Sequence, residues 1–205
     1  MKRPLIIAFG GGSGSGKTTL ANELSKTLSD LKVSILTQDH YYKDLSHLRP
    51  EERRKVNFDR PEALDLNRLH SDLTDLSQGK PVSHPEYCFE THTRRKELIP
   101  FSSGHAVIFD GIFSLCFEEL LPLYTLKVFV DVPSDIRLLR RIARDQVERG
   151  RSFESIQAQY IETVRPGYHK FIRNSRSKAD LIIPWERRSD QAIQVLGSYI
   201  RSNAC

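Results

Sequence analysis

The run Gly11-Gly12-Ser13-Gly14-Ser15-Gly16-Lys17-Thr18 sets glycines, a lysine and a hydroxyl at the spacing G-x-x-x-x-G-K-[ST], with every fixed position matched. Glycines let a backbone turn so that successive N–H groups converge on phosphate oxygens. A helix starting at the end of such a loop adds the positive end of its dipole. In that setting Lys17 reaches the β- and γ-phosphates and the Thr18 hydroxyl ligates Mg²⁺. The expected cradle is Gly11, Gly12, Ser13, Gly14, Ser15, Gly16, Lys17, Thr18 and Thr19, and the ligand class is a nucleoside triphosphate. A Gly/Ser linker has similar composition, but the flanks argue against it. Pro4 to Phe9 is an apolar run suited to a buried strand, and Leu20, Leu24 and Leu28 recur at helical spacing.

Three aspartates follow further strand-like runs. Asp39 comes after Val33-Ser34-Ile35-Leu36-Thr37, Asp110 after Ala106-Val107-Ile108-Phe109, and Asp131 after Leu126 to Val130. Open parallel sheets bind ligands outside the carboxyl ends of their strands, so the three belong to one rim. Asp110 stands where a Walker B acid stands, holding Mg²⁺ directly or through water. Asp131 precedes Val132-Pro133-Ser134 and reads as a turn former. Arg137, Arg140, Arg141 and Arg144 fall at i, i+3, i+4 and i+7, one face of a helix, and Arg149-Gly150-Arg151 follows at a turn. Acids do not interleave evenly with them, so the stripe reads as cationic and fit to neutralise a phosphoryl group in transfer. Basic residues mixed with exposed aromatics along a groove, the pattern of a nucleic-acid surface, are not seen.

The elements that must position these residues alternate strand and helix, which predicts an α/β fold of the P-loop NTPase type, a parallel sheet with flanking helices. Helices are expected from Lys17 to about Asp30, Glu62 to Ser77, Ser134 to about Glu148, Phe153 to Phe171 and Asp190 to Arg201, with a last strand at Leu181-Ile182-Ile183. Residues 82–99 break the alternation and read as an inserted β-hairpin turning at Arg94-Arg95-Lys96. The chain of 205 residues is expected to form a single domain over 1–205, with the insertion at 82–99 and a helical lid at 134–173. Hydrophobic content of 39%, charged content of 28% and a net charge of +5 fit a globular protein with anionic small-molecule ligands. Cys88, Cys116 and Cys205 are widely spaced, which predicts reduced thiols. The apolar run at the start is too short for a signal peptide and no stretch is long enough to span a membrane, so a cytoplasmic location is expected.

The chain resembles uridine kinases (uridine–cytidine kinases) over nearly its whole length. The matching stretches are the phosphate-binding loop, Gln38-Asp39-His40-Tyr41-Tyr42, Asn57-Phe58-Asp59-Arg60-Pro61, Pro85-Glu86-Tyr87 with Thr91-His92-Thr93-Arg94, and Asp110-Gly111-Ile112. They continue through Arg140-Arg141-Ile142-Ala143-Arg144-Asp145, Glu148-Arg149-Gly150-Arg151 and Gln159-Tyr160 to Ala179-Asp180-Leu181-Ile182-Ile183-Pro184. The resemblance implies that Asp39 faces the nucleoside 5′-hydroxyl and that Asp59 grips the ribose hydroxyls. It implies that Tyr87 and His92 hold the pyrimidine, that Arg151 and Gln159 touch the nucleoside side, and that Arg141, Arg144 and Arg149 face the phosphates. It also implies a homotetramer. Two positions depart from the family: Asp110 stands where Glu is usual, and Trp185-Glu186-Arg187-Arg188 replaces the usual Arg-Gly after the last strand, a loop near the adenine in relatives.

The function expected is ATP-dependent 5′-phosphorylation of uridine and cytidine, with Asp39, Lys17 and Arg144 as the catalytic set and ATP or GTP with Mg²⁺ as cofactors. Neither a nucleic acid nor a membrane is an expected partner. A phosphoribulokinase-like or other small-metabolite kinase uses the same scaffold, but a Tyr87/His92 hairpin favours a nucleoside. A GTP-binding switch finds only a faint echo in Ser177-Lys178-Ala179-Asp180, which precedes a strand instead of following one. An inactive regulator is disfavoured by intact Lys17, Thr18, Asp39 and Arg144.

Overall fold

The structure, a computed structural model, describes residues 3–204. Five strands form a parallel sheet in the order β2 (Val33–Thr37), β7 (Ala106–Asp110), β1 (Leu5–Gly10), β8 (Leu126–Asp131) and β9 (Leu181–Pro184). β1 and β7 are buried along their whole length, as expected of parallel strands covered on both faces. Alternation along β1 divides the core. Leu5, Ile7 and Phe9 face α1 (Lys17–Thr27) and α8 (Asp190–Ala204), meeting Leu20, Leu24, Leu28, Ile193, Leu196 and Ile200. Ile6 and Ala8 face the other way, joining Val107, Phe109 and the Leu69, Leu73 and Leu76 stripe of a third helix.

That helix, α3, spans Leu66–Ser77 and follows a short α2 (Pro50–Arg53). It starts four residues later than expected. Pro61–Ala63 is a separate 3₁₀ turn, Leu64 is extended, and the Asp65 side chain caps the helix by accepting from the Arg68 N–H at 3.2 Å.

Residues 82–101 hold two short antiparallel ladders where one hairpin was expected. β3 (Val82–His84) pairs with β6 (Ile99–Phe101), and β4 (Tyr87–Cys88) with β5 (Thr93–Arg94). The tight turn therefore lies at Phe89–His92, with His92 at φ 55°, and not at Arg94-Arg95-Lys96. The side chains of Arg94 and Arg95 are held by acids, Arg94 by Asp65 and Arg95 by Glu86, which favours extended backbone there.

Beyond the sheet, α4 (Ser134–Arg149) ends at Gly150 in the left-handed conformation, φ 58°. The expected helix over 153–171 is longer and interrupted. α5 (Phe153–Gln159), α6 (Arg165–Gly167) and α7 (Arg173–Ser175) are joined by π turns at Tyr160–Val164 and Tyr168–Ile172, and a 3₁₀ turn closes at Lys178. Pro166 has no N–H to give and its ring crowds the carbonyl one turn back, so the wider turns accompany it. Cys88 and Cys116 are free thiols, while Cys205 lies outside the described residues. Among the described residues no helix is long and apolar enough to cross a membrane.

Leu73 is fully buried between α3 and the sheet. Leu73→Ala should cost about 2–5 kcal/mol in urea unfolding, the usual range for a buried leucine truncated in a close-packed core. A loss below about 1 kcal/mol would show that this face is not tightly packed.

Candidate active site

The loop after β1 turns on three glycines with positive φ: Gly11 at 139°, Gly14 at 80° and Gly16 at 85°. At Gly14 a side chain would also collide with backbone, since a Cβ there would lie 2.3 Å from the Arg137 carbonyl oxygen. Gly16 is the N-cap of α1 and makes no side-chain cap, so the first amides of the helix face the loop's concavity without a competing side-chain acceptor from the cap. Lys17 is buried, and its Nζ donates to the Gly12 carbonyl at 3.1 Å. Burial lowers its pKa, opposed by the charges of Asp110 and Asp39 and reinforced by Arg144 and Arg137. The Thr18 hydroxyl donates to Asp110 Oδ2, while Thr19 is exposed on the first turn. Two hard oxygen donors thus meet beside the phosphate cradle. They suit Mg²⁺, which is commonly held by one or two protein oxygens plus phosphates.

Sheet register delivers the other carboxylates to this edge. Phe9 and Thr37 both lie opposite Asp110 in the parallel ladders. Asp39 sits in the 3₁₀ turn Gln38–Tyr41 directly after β2. Its pKa is raised by burial and by Asp110, against the pull of Arg149, Lys17 and Arg144. Gln38 anchors the turn from inside, accepting the Phe113 N–H at 2.8 Å. Arg94 anchors it from outside, donating to the carbonyls of Tyr42 at 2.8 Å and Tyr41 at 3.2 Å and to Asp65 at 3.0 Å. The hairpin that carries Tyr87 and His92 is thereby tied to the turn that carries Asp39. Arg94 lies in a stretch that resembles uridine kinases, and its part follows from these contacts alone.

Asp59 is buried, with Oδ2 accepting from the Thr163 hydroxyl at 2.7 Å and its N–H donating to Asn57 Oδ1 at 2.8 Å. Burial raises its pKa, offset by Thr163, Arg141 and Arg151. Gly167 lets the helical segment approach, since a Cβ there would stand 2.5 Å from the Asp59 carbonyl oxygen. Tyr87, Tyr42, Phe58 and Phe89 form an aromatic wall with centroids 5.3–6.4 Å apart, and His92 stacks on Phe58 at 5.0 Å and 16°. The Tyr87 hydroxyl and His92 Nδ1 are buried without a hydrogen-bond partner. Arg149 lies over the Phe89 ring at 4.5 Å, joining the hairpin to the end of α4.

The arginine stripe is not uniformly cationic. Asp145, fully buried, has Arg141, Arg144, Arg149 and Arg151 all within 2.7–3.8 Å. Spacing could have found it, because Arg141 and Arg149 flank it at i−4 and i+4. Arg141 reaches the phosphate loop at Ser13 Oγ, 2.8 Å, and Gln159 Oε1, 2.8 Å, which Arg151 also contacts. Arg137 and Arg140 face the loop differently. Arg137 donates to Val132 O at 3.0 Å and lies over the Tyr168 ring at 3.9 Å, and Arg140 holds the carbonyls of Trp185 at 3.0 Å and Glu186. Trp185 is buried against Gly16, so the unusual loop packs on the phosphate loop itself. Asp131 pairs with Arg176 at 3.1 Å and stays outside the cluster.

With this geometry in place, comparison with known proteins decides the family. The model of the phosphoribulokinase/uridine kinase family matches residues 6–193. The chain belongs to that family. It is an enzyme, a phosphotransferase. Uridine kinases from Staphylococcus epidermidis and Lactobacillus johnsonii are 44% and 45% identical over 202 residues, covering 98% of this chain and 98% and 96% of theirs. A uridine kinase from Clostridium novyi is 41% identical over 201 residues, covering 98% of this chain and 97% of its own. The fold is shared with phosphoribulokinase from Rhodobacter spheroides, TM-score 0.65 at 17% identity over 88% of this chain and 69% of that one. It is also shared with D-glycerate 3-kinase from Cryptococcus neoformans, TM-score 0.66 at 17% identity over 93% and 89%.

His92 is surrounded by Arg151, Arg54, Arg149 and Arg53, and burial together with their charges lowers its pKa. In an NMR titration of the free protein, His92 should titrate below 6.5 and be neutral at pH 7. A value at or above 6.5 would contradict the packing around it.

Proposed function

We propose that the protein transfers the γ-phosphoryl group of ATP to the 5′-hydroxyl of uridine and cytidine. The observation that carries this substrate class is the pair of buried polar atoms without partners, the Tyr87 hydroxyl and His92 Nδ1, set in an aromatic wall near Asp59. A flat base with polar edges stacks on such a wall and satisfies those atoms, whereas a sugar phosphate offers no flat face. The full-length similarity to uridine kinases supports the same reading.

In the reaction proposed, Asp39 accepts the proton as the O5′–H bond breaks and the new O5′–P bond forms. The bond between the γ-phosphorus and its bridging oxygen breaks, and the nucleoside diphosphate leaves. Raised proton affinity suits Asp39 to this task. Lys17 and the loop amides hold the β- and γ-phosphates, while Arg144 and Arg149, which act electrostatically on Asp39, neutralise charge at the transfer point. Mg²⁺ held by Thr18 and Asp110 would supply further charge neutralisation on the phosphates. Asp59 takes the ribose hydroxyls, exchanging its bond from Thr163 for bonds from the sugar. His92 is neutral and has two tautomers, so it answers either the O4 acceptor of uridine or the N4 donor of cytidine. The helical region 134–173 acts as a lid over one domain. The proposal includes a cytoplasmic homotetramer with no nucleic-acid or membrane partner.

A steady-state assay with ATP across uridine, cytidine, 2′-deoxyuridine, adenosine and ribulose 5-phosphate tests the substrate assignment. Uridine and cytidine should be used at comparable efficiency. Deoxyuridine should be at least about tenfold poorer, because the buried Asp59 carboxylate loses one donor. Preference for adenosine or ribulose 5-phosphate would overturn the assignment and leave the kinase fold standing.

A further inference from the structure

Asp145 is a carboxylate with no exposed surface, placed one residue after Arg144 on α4. Four guanidinium groups surround it, yet they use it unequally. Arg144 is bonded to Oδ1 through Nε at 2.9 Å and Nη2 at 2.7 Å. Arg141, Arg149 and Arg151 stand at 3.6, 3.8 and 3.6 Å, within reach of its charge but too far for a hydrogen bond. Oδ2 has no hydrogen-bond partner at all. A pair built only for stability would use those donors up. Here Arg141 and Arg151 give some donors to Ser13, Gln159 and Ser155 instead, and Arg149 with the remaining N–H groups is left for another acceptor.

Charge sharpens the point. Asp145 balances one of the four guanidiniums, and Asp59 and Asp39 act on them from outside the cluster, so four cations against three carboxylates keep a net positive charge that suits the anionic tail of a triphosphate. Three of the four also have water to escape to, since the side chains of Arg144, Arg149 and Arg151 are 33%, 29% and 27% exposed. Mutual repulsion would turn them outward unless an anion at the centre held them in. The backbone helps, because the Asp145 carbonyl accepts the N–H groups of Gly150 and Arg151, curling the chain so that Arg151 returns to the cluster. The gathered groups lie where phosphate must be: Arg141 touches Ser13 of the loop, and Arg144 acts electrostatically on both Lys17 and Asp39.

We propose that Asp145 is a positioning residue: a resident anion that keeps Arg141, Arg144, Arg149 and Arg151 gathered and aimed before the triphosphate arrives, while leaving their donors free to bind it. This rests on the kinase reading above. Preorganised charge is worth more in the transition state than in binding, because it avoids reorganisation at the moment of transfer. The role therefore separates turnover from affinity, which a purely structural role would not do.

The test compares wild type, Asp145→Asn and Asp145→Glu in two assays: steady-state kinetics with ATP and uridine, and calorimetric binding of inorganic tripolyphosphate. Asp145→Asn removes a negative charge from the cluster, so tripolyphosphate should bind as tightly as to wild type or tighter, and the KM for ATP should not rise. Its kcat should fall about 30-fold or more, in the range seen when preorganised charge stabilisation is lost. Asp145→Glu keeps the charge one methylene further out and should recover at least a third of the wild-type kcat. A kcat for Asp145→Asn within threefold of wild type would overturn the proposal, as would tripolyphosphate binding weakened tenfold. If Asp145→Asn shows no cooperative melting, Asp145→Glu decides: the proposal holds with affinity kept and kcat lowered up to threefold, and fails if tripolyphosphate affinity falls instead. A wild type that binds tripolyphosphate but does not phosphorylate uridine would sink the substrate reading, and the tripolyphosphate arm would still judge Asp145.

Discussion

Positive charge must be kept next to a backbone cradle, largely out of water, before any phosphate is there to neutralise it. Lys17, Arg137 and Arg141 are 7%, 4% and 6% exposed, and each is a cation that burial alone would penalise. The chain meets that constraint by setting anions among them. Asp110 and Asp39 act on Lys17, Asp145 stands among the arginines of α4, and Asp59 acts on Arg141 from the far side. Carbonyls complete the work, Gly12 O receiving Lys17 and Val132 O receiving Arg137.

The parallel sheet is what makes this distribution possible. Because β2, β7, β1 and β8 run the same way in matched register, their carboxyl ends form one edge, and Asp39, Asp110 and the loop after Gly10 meet there. Two tightly buried layers fix that edge from either face, through α1 with α8 and through α3. Elements outside the sheet are then free to specialise. The small ladders between 82 and 101 bring aromatic rings and a histidine, and the helices after β8 bring the arginines. The Arg149–Phe89 contact and the Arg94 links join these two additions to the catalytic edge.

What the sequence made legible were the features that depend on local spacing. The phosphate loop is continuous in the chain, its flanking strand and helix are short-range patterns, and the i, i+3, i+4, i+7 arginines declare a helical face. The start of α3 was missed because the Leu64 and Leu66 pattern extends through the turn, while Asp65 capping decides where the helix begins. The reversal at Phe89–His92 needs a non-glycine residue at positive φ, which no composition rule signals. The π turns follow from Pro166 within a segment that otherwise reads as plain helix. The i−4 and i+4 arginines flanking Asp145 are a spacing signal, whereas its burial at the centre of four guanidiniums is a tertiary fact.

In the mechanism proposed, this charge arrangement prepares Asp39 to take a proton, and the pH dependence of kcat reads that out. Protonated Asp39 cannot accept, so kcat should fall as pH drops through the raised pKa. The acidic limb should lie above the ordinary value of 3.8 for an aspartate. In Asp39→Asn that limb should vanish, and kcat should be lower by ~10²–10⁴ on the wild-type plateau above it. A wild-type limb at or below 3.8, or the same limb persisting in Asp39→Asn, would contradict it.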